Sequence, residues 1–252
     1  MIWTLLAGLL AGFSIGFVGA GGAVIGLPFF LYLLYMPPHT ALGTNAMGVA
    51  FIVTLLMLWR VYKGDSFLKE GFIYTFIGLL GVWVGSHIGI LFPGKQLIFL
   101  LGFLLFGVAG WMFYLSHQLS KTSQTNATSK GANSQKEWIL LGVLSLITGG
   151  IAGFFAVGCG FLIIPGIMVA TEMELTDAIA TGLIPFSLFS LWIGFQNWQN
   201  GAVVMNDSLF MLLAGAVGGW LGIQLSKRLS QKFMQRVFAV LMLLLGSYMI
   251  IQ

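Results

Sequence analysis

Apolar stretches separated by short polar islands run along the whole chain. Several of these stretches approach or exceed the ~20 residues that a helix needs to cross a bilayer. The pattern predicts an all-α polytopic membrane protein whose surface contacts the lipid bilayer. The ten predicted helical segments are Met1–Val18, Val24–Met36, Ala41–Trp59, Gly71–Phe92, Leu97–Leu115, Trp138–Val157, Phe161–Ala170, Ala178–Phe195, Leu209–Leu225 and Phe233–Ile251.

The composition leads to the same class of protein. Hydrophobic residues make up 58% of the chain and charged residues 7%, whereas a soluble domain carries roughly a quarter of its residues as Asp, Glu, Lys and Arg. The net charge of +4 is ordinary for the basic cytoplasmic loops of membrane proteins, so nucleic acid is not an expected partner. The single cysteine, Cys159, excludes an internal disulfide.

The chain divides into two similar halves. Residues 119–137 are rich in Ser, Thr, Gln, Asn and Lys and are predicted to form a polar linker between a first repeat (residues 1–118) and a second repeat (residues 138–252). Pro28 and Pro165 are 137 positions apart (165 − 28), and the same offset pairs Thr44 with Thr181 and Trp83 with Trp220. Matching proline, threonine and tryptophan in one register indicates duplication.

The basic residues predict that the two repeats are inverted relative to each other. In the first half they follow the third segment, whereas in the second half they follow the fourth, and cytoplasmic loops are the ones enriched in Lys and Arg. Equivalent loops would then lie on opposite sides of the membrane, as in an inverted-topology repeat. The linker would be cytoplasmic and both termini would lie outside. The basic residues concerned are Arg60, Lys63 and Lys69, then Lys227, Arg228, Lys232 and Arg236.

The first two segments of each repeat are short or broken. They form either two crossings or a re-entrant hairpin, and at 1.5 Å per residue their lengths do not choose between these alternatives.

Clustered glycines interrupt the apolar pattern at equivalent places in both halves. The helix that begins after such a break has free N–H groups with partial positive charge, which can bind an anion without a charged side chain. The alternative is that the glycines only let helices cross closely. The residues predicted to contact substrate here are Gly21, Gly22 and Ala23 before Pro28, and Gly158, Cys159 and Gly160 before Pro165.

Three polar side chains inside apolar segments are further candidates for binding. Thr44, Asn45 and Thr181 carry hydroxyl and amide groups that can donate to an oxyanion. The threonines have the alternative of bonding to their own preceding turn. A buried Asn amide without partners is costly in hydrocarbon, which favours a site role for Asn45. Cys159 is either a small packing residue or a contact to a soft, sulfur-containing substrate.

No enzyme is expected from the sequence. It has no phosphate-binding glycine loop with Lys, no metal-ligand spacing, no Ser/His/Asp set and no acidic or basic residue well inside a span, so neither a cofactor nor a metal is expected. His87 is a candidate for proton coupling because histidine side chains can take up and release protons under physiological conditions. Its alternative is an interfacial or packing role.

The glycine breaks and the segments that follow them resemble the sulfite exporter TauE/SafE family of membrane permeases. The resembling residues are Gly19–Gly22 with Pro28, Ala41–Asn45, Gly158–Gly160 with Pro165, and Ala178–Thr181. The resemblance implies transport of sulfite, thiosulfate, a sulfonate or a related anion across the bacterial inner membrane.

The leading hypothesis is therefore a secondary transporter that works by alternating access, with a midplane site at the broken-helix N-termini. Its alternatives are a passive anion channel and a non-transporting membrane scaffold. The sequence leaves open the anion, the direction, the coupling ion and whether the chain forms a homo-oligomer.

Overall fold

In the computed structural model the chain is described at residues 1–63, 67–118, 131–132, 134–171, 173–226 and 231–251. These ranges contain ten helices and no strand, and each predicted segment corresponds to one helix. The helices are α1 (Ile2–Val18), α2 (Gly22–Pro28, continued by a π-helical turn over Phe29–Leu33), α3 (Pro38–Tyr62), α4 (Leu68–Ile90), α5 (Gly94–Gln118), α6 (Gln135–Phe155), α7 (Gly160–Ala170), α8 (Leu175–Gln199), α9 (Met205–Ser226) and α10 (Gln231–Ile251).

Five of these helices, α3, α4, α6, α8 and α9, are long and apolar enough to cross a membrane. The prediction of an all-α, multi-pass membrane protein is therefore confirmed. Helices α3 and α8 begin three residues earlier than predicted, at Pro38 and Leu175. Their first turns contain polar residues such as His39 and Thr176, which the apolar pattern alone excludes. Most of the predicted linker, residues 119–130 and 133, lies outside the described residues.

Helices α3 and α8 are the most buried of these five long helices. About three quarters of the apolar window of each is buried (72% and 78%), against 39–44% in α4, α6 and α9. The remaining surface is apolar and suited to lipid. Trp83 on α4 and Trp220 on α9, which match at the repeat offset, are each about half exposed (52% and 53%).

Helices from the two halves pack in exchanged pairs, in which the first helix of each half lies along the fourth helix of the other half. Helix α1 packs along α9, and α6 packs along α4. Glycines make these contacts close: a Cβ atom on Gly12 would collide with the carbonyl of Gly215, and one on Gly149 would collide with that of Gly78. Small residues allow this approach of helix backbones in membranes.

The core helices α3 and α8 cross in opposite directions. Met47, in the first half of α3, lies against Gly194 near the end of α8. Farther along α3, the hydroxyl of Thr54 lies 2.7 Å from that of Ser187, earlier in α8. Since contacts move backward along α8 as they move forward along α3, the two helices run antiparallel. They occupy equivalent positions in the two repeats.

Candidate functional site

Both glycine clusters interrupt the helical backbone. Helix α1 ends at Val18, and Gly19 and Gly21 adopt left-handed φ angles of +79° and +83° before α2 begins. In the second half α6 ends at Phe155, and Gly158 has a φ of +65° before α7 begins. Glycine adopts such angles without the steric cost that a Cβ atom brings. Unbroken helices through Gly21 and Gly158 are thereby excluded.

Two residues other than glycine share the second break. Ala156 and Cys159 have φ angles of +54° and +47°, a conformation that residues with a Cβ atom adopt rarely. Cys159 is fully buried. The sequence does not reveal this conformation, because neither alanine nor cysteine favours it.

The short helices after the breaks fold back against the helices before them. Gly22, at the start of α2, lies against Ile15 and the carbonyl of Ala11, and Gly166 in α7 lies near Leu144 in α6. Helices of 12 and 11 residues (Gly22–Leu33 and Gly160–Ala170) are roughly 17–18 Å long. This is little more than half of the ~30 Å hydrocarbon core, so neither crosses it alone.

Side chains from α1 and α3 fix the first break. Ser14 Oγ donates to the carbonyl of Ala20 at 2.8 Å, and Asn45 Nδ2 donates to the carbonyl of Ala23 at 2.6 Å. Asn45 is fully buried, and its Oδ1 has no hydrogen-bond partner. The amide thus connects α3 to the first turn of α2 through one of its N–H groups.

A different set of side chains covers the second break. Phe186 and Ser190, one turn apart on α8, both lie against Gly158, and Phe186 also lies against Gly160. Ser190 is 1% exposed, and its Oγ has no hydrogen-bond partner. Sequence reasoning missed Ser190, and its only signal was a serine spaced three residues after Ser187 in an otherwise apolar segment.

Thr44 and Thr181 link the two halves. Thr44 Oγ1 accepts a hydrogen bond of 3.0 Å from the backbone N–H of Val204, just before α9. Thr181 Oγ1 accepts one of the same length from the N–H of Phe67, just before α4. Phe67 and Val204 match at the repeat offset (204 − 67 = 137). Each threonine thus stabilises the start of a helix in the other half. The two roles considered from the sequence, anion binding and bonding to the preceding turn, do not include this contact.

His87 lies on the exposed side of α4. Its Nδ1 is 2.8 Å from the carbonyl oxygen of Trp83, and its ring packs at 4.8 Å from the ring of Trp83. Within the part of the chain that the structure describes, no three His, Cys, Asp or Glu side chains lie close enough together to hold a metal ion.

A narrow cavity of about 20 Å³ reaches the second break from one end of the helix bundle. Ala156 lines it at the break, and His39, Ser86, Gln196 and Asn197 supply polar groups. The volume is sufficient for about one water molecule. Gln196 Oε1 is buried without a hydrogen-bond partner.

The chain with these interrupted helices can be compared with known protein families. Residues 4–249 match the family described as Sulfite exporter TauE/SafE. The chain belongs to this family. The resemblance found from the glycine breaks is thereby confirmed over nearly the whole chain.

Relatives of this TauE/SafE chain come from distant organisms. A protein of Xylella fastidiosa (strain Temecula1), described as a probable membrane transporter protein, is 29% identical over 99% of this chain and 95% of its own length. YdhB of Bacillus subtilis, with the same description, is 26% identical over 71% of each chain. MJ0441 of Methanocaldococcus jannaschii, also so described, is 24% identical over 96% of this chain and 94% of its own. No solved structure matches the chain.

Proposed function

We propose that this TauE/SafE protein is a permease for a small sulfur-containing anion such as sulfite, thiosulfate or a sulfonate. The observation that carries the proposal is the pair of helix breaks, at Gly21 and Gly158, inside an apolar bundle. Exposed backbone polar groups at membrane depth are tolerated where they are buried in protein or line a cavity. The family description and the relatives' description as probable membrane transporters support it.

The anion would be held at the N-terminus of a helix that begins at one of these breaks. The first N–H groups of a helix have no partner within it, and the helix dipole adds partial positive charge. No basic side chain is then needed, in keeping with a chain that has none before Arg60. The candidate groups are the N–H groups of Gly22 and Ala23 at the first break and that of Gly160 at the second.

The two repeats would be arranged with inverted topology. The antiparallel crossing of the equivalent helices α3 and α8 supports this, as does the exchanged pairing of α1 with α9 and of α6 with α4. The folding back of α2 and α7 favours the re-entrant alternative over two full crossings. Rocking of one half against the other around a fixed midplane site is the movement that such repeats allow.

The basic residues support a cytoplasmic location for the linker in a bacterial inner membrane. Lys63 lies over the ring of Trp59 near the end of α3. Lys69, at the start of α4, lies over the ring of Trp138 at the start of α6. Positive charge therefore gathers at the end of the bundle from which the second repeat begins, and this end would face the cytoplasm.

Unequal access to the two breaks supports alternating access. The cavity reaches Ala156 at the second break. At the equivalent position in the first half, Ile164 and Ile179 pack directly on Gly19. The structure would then correspond to a state open, narrowly, toward the end of the bundle where His39 lies.

The test is transport by purified protein in liposomes. Uptake of ³⁵S-labelled sulfite, thiosulfate and methanesulfonate should saturate and should be stimulated by the same anion inside the liposomes. Flux without saturation or counterflow would instead indicate a passive channel. Absence of flux together with absence of thermal stabilisation by all three anions would indicate a non-transporting scaffold.

Topology needs a separate test. Reporter fusions after residue 125 in the linker and at the C-terminus should report opposite sides of the membrane. Reports from the same side would rule out the inverted arrangement but would leave the proposal of anion transport unaffected.

A further inference from the structure

Buried polar atoms without a hydrogen-bond partner distinguish the two breaks. Among the described residues these atoms are Asn45 Oδ1, Ser190 Oγ and Gln196 Oε1. Asn45 lies at the first break and Ser190 at the second. An amide oxygen only accepts hydrogen bonds, whereas a hydroxyl also donates. The unpartnered Asn45 Oδ1 at the first break therefore repels an anion, whereas the unpartnered Ser190 Oγ at the second can bind one.

The orientation of Ser190 is unusual for this protein. Some hydroxyl groups in its helices donate to the carbonyl four residues earlier, as Thr54 does to Ala50 at 2.6 Å and Thr75 to Gly71 at 2.7 Å, and others bond to a different segment, as Ser14 does to the carbonyl of Ala20. The first of these is the common habit of Ser and Thr in membrane helices. Ser190 Oγ instead lies against Gly158. A buried hydroxyl left without a partner is costly, so its direction needs an explanation.

The N-terminus of α7 supplies further donors at the same break. The N–H groups of Leu162 and Ile163 donate to the carbonyl of Cys159 at 2.9 and 3.2 Å, which leaves the N–H groups of Gly160 and Phe161 ahead of the first helical bonds. The N-cap residue, Cys159, makes no side-chain capping bond. Ser, Thr, Asp or Asn in its place would satisfy these groups internally.

The start of α2 at the first break likewise has no side-chain cap, but no hydroxyl corresponds to Ser190. The residue equivalent to Ser190 is Val53 (190 − 137), which is fully buried and apolar. Asn45 uses its Nδ2 to hold the carbonyl of Ala23, and its Oδ1 faces Gly26. A hydrogen-bond donor without a partner is therefore present at the second break and has no counterpart at the first.

We propose that the oxyanion binds at the second break alone, with Ser190 Oγ and the N–H groups of Gly160 and Phe161 as its donors. This inference rests on the proposed transport of a small sulfur-containing anion and assigns the binding contacts to one repeat. Three donors match the three oxygens of a sulfite or sulfonate group. The ring of Phe186 packs on Gly158 and Gly160 and moves aside when the anion enters.

The decisive comparison is between Ser190→Ala and Ser187→Ala. Ser187 lies three residues away on the same helix and is equally buried, but its hydroxyl already pairs with that of Thr54. Ser190→Ala should raise the Kd for sulfite, thiosulfate and methanesulfonate by about tenfold or more, the usual loss for a hydrogen bond to a charged group. Ser187→Ala should leave each Kd within about twofold of the wild type.

Thermal stability without anion separates binding from folding. Ser190→Ala removes an unpaired buried hydroxyl, so the Tm of the anion-free protein should stay unchanged or rise. Wild-type anion affinity in Ser190→Ala, or equal loss of affinity in both variants, would overturn the assignment of Ser190 while leaving the transport proposal intact. A wild-type protein that neither binds nor transports any of the three anions would overturn both.

Discussion

The two helix breaks have the same place in their repeats and the same backbone design, yet their surroundings differ. At the first, Asn45 and Ser14 tie the broken segment down through backbone carbonyls. Neither α2 nor α7 has a side-chain cap, but at the second break Ser190 Oγ is buried without a hydrogen-bond partner. The two halves thus contain equivalent interruptions, but their side chains stabilise the first and leave an unpaired hydroxyl at the second.

The contacts between the halves have stayed equivalent, in contrast to the breaks. Thr44 and Thr181 make the same bond to equivalent backbone groups, and glycine contacts line both exchanged helix pairs. Packing between repeats constrains both copies alike because each must fit the other. A binding site needs only one copy to keep the chemistry.

The largest effects are expected where the halves are equivalent. Gly12→Val would drive a side chain into the carbonyl of Gly215, and Gly149→Val would drive one into that of Gly78. Backbone cannot move aside as a side chain can, so each variant should lower Tm by roughly 10 °C or more. Thermal unfolding in detergent and elution as a single species by size-exclusion chromatography measure this.

Gly107 offers the matched control, because no atom lies within 4 Å of the place that its Cβ would occupy. Gly107→Ala should keep the wild-type Tm or raise it slightly. Tolerance of valine at residue 12 but not at residue 149 would show that the two helix pairs are not equivalent.

The next effect separates the two breaks. Asn45→Ala leaves the carbonyl of Ala23 without its donor, which should cost about 1–3 kcal/mol of stability and lower Tm by several degrees. Because the open oxygen of Asn45 does not attract anions, Kd should change by less than about threefold, in contrast to Ser190→Ala. Thermal unfolding and anion titration of the same sample provide both values.

A tenfold loss of affinity in Asn45→Ala would place the second N–H of this amide on the anion. Both breaks would then contact the anion, as the sequence predicts, and the assignment of the anion to the second break alone would be wrong.

Smaller and equal effects are expected for the threonine pair. Thr44→Ala and Thr181→Ala each remove one acceptor for a backbone N–H that begins a helix, so each should cost ~1 kcal/mol. The Tm of either variant should fall by roughly 2–4 °C. Thr44→Ser and Thr181→Ser keep the hydroxyl and should recover most of the loss. Weaker anion binding by either alanine variant at unchanged Tm would instead assign that threonine to the site.

The sequence was sufficient for the architecture. The lengths of the apolar segments predicted the ten helices of the described residues, because a helix in the hydrocarbon core needs apolar side chains. The clustered glycines predicted both breaks, because left-handed φ angles favour glycine. Tertiary contacts were out of reach. A serine such as Ser190 has the same sequence signature whether it bonds to its own turn or faces a break. Likewise, nothing local to Thr44 or Thr181 indicates a partner in the other half of the chain.

The smallest effect is expected at His87, where the halves differ but the position is exposed. Its repeat partner is Gln224 (224 − 137 = 87), so His87→Gln makes the two repeats alike. The His87 side chain is exposed and its ring contacts Trp83 of its own helix, so stability should change by no more than about 0.5 kcal/mol. Transport rates measured from pH 5.5 to 8.0 should follow the wild-type profile. A flattened profile in His87→Gln, at unchanged anion affinity, would instead make this histidine the proton-coupling group and add a second functional difference between the repeats, this time in the first.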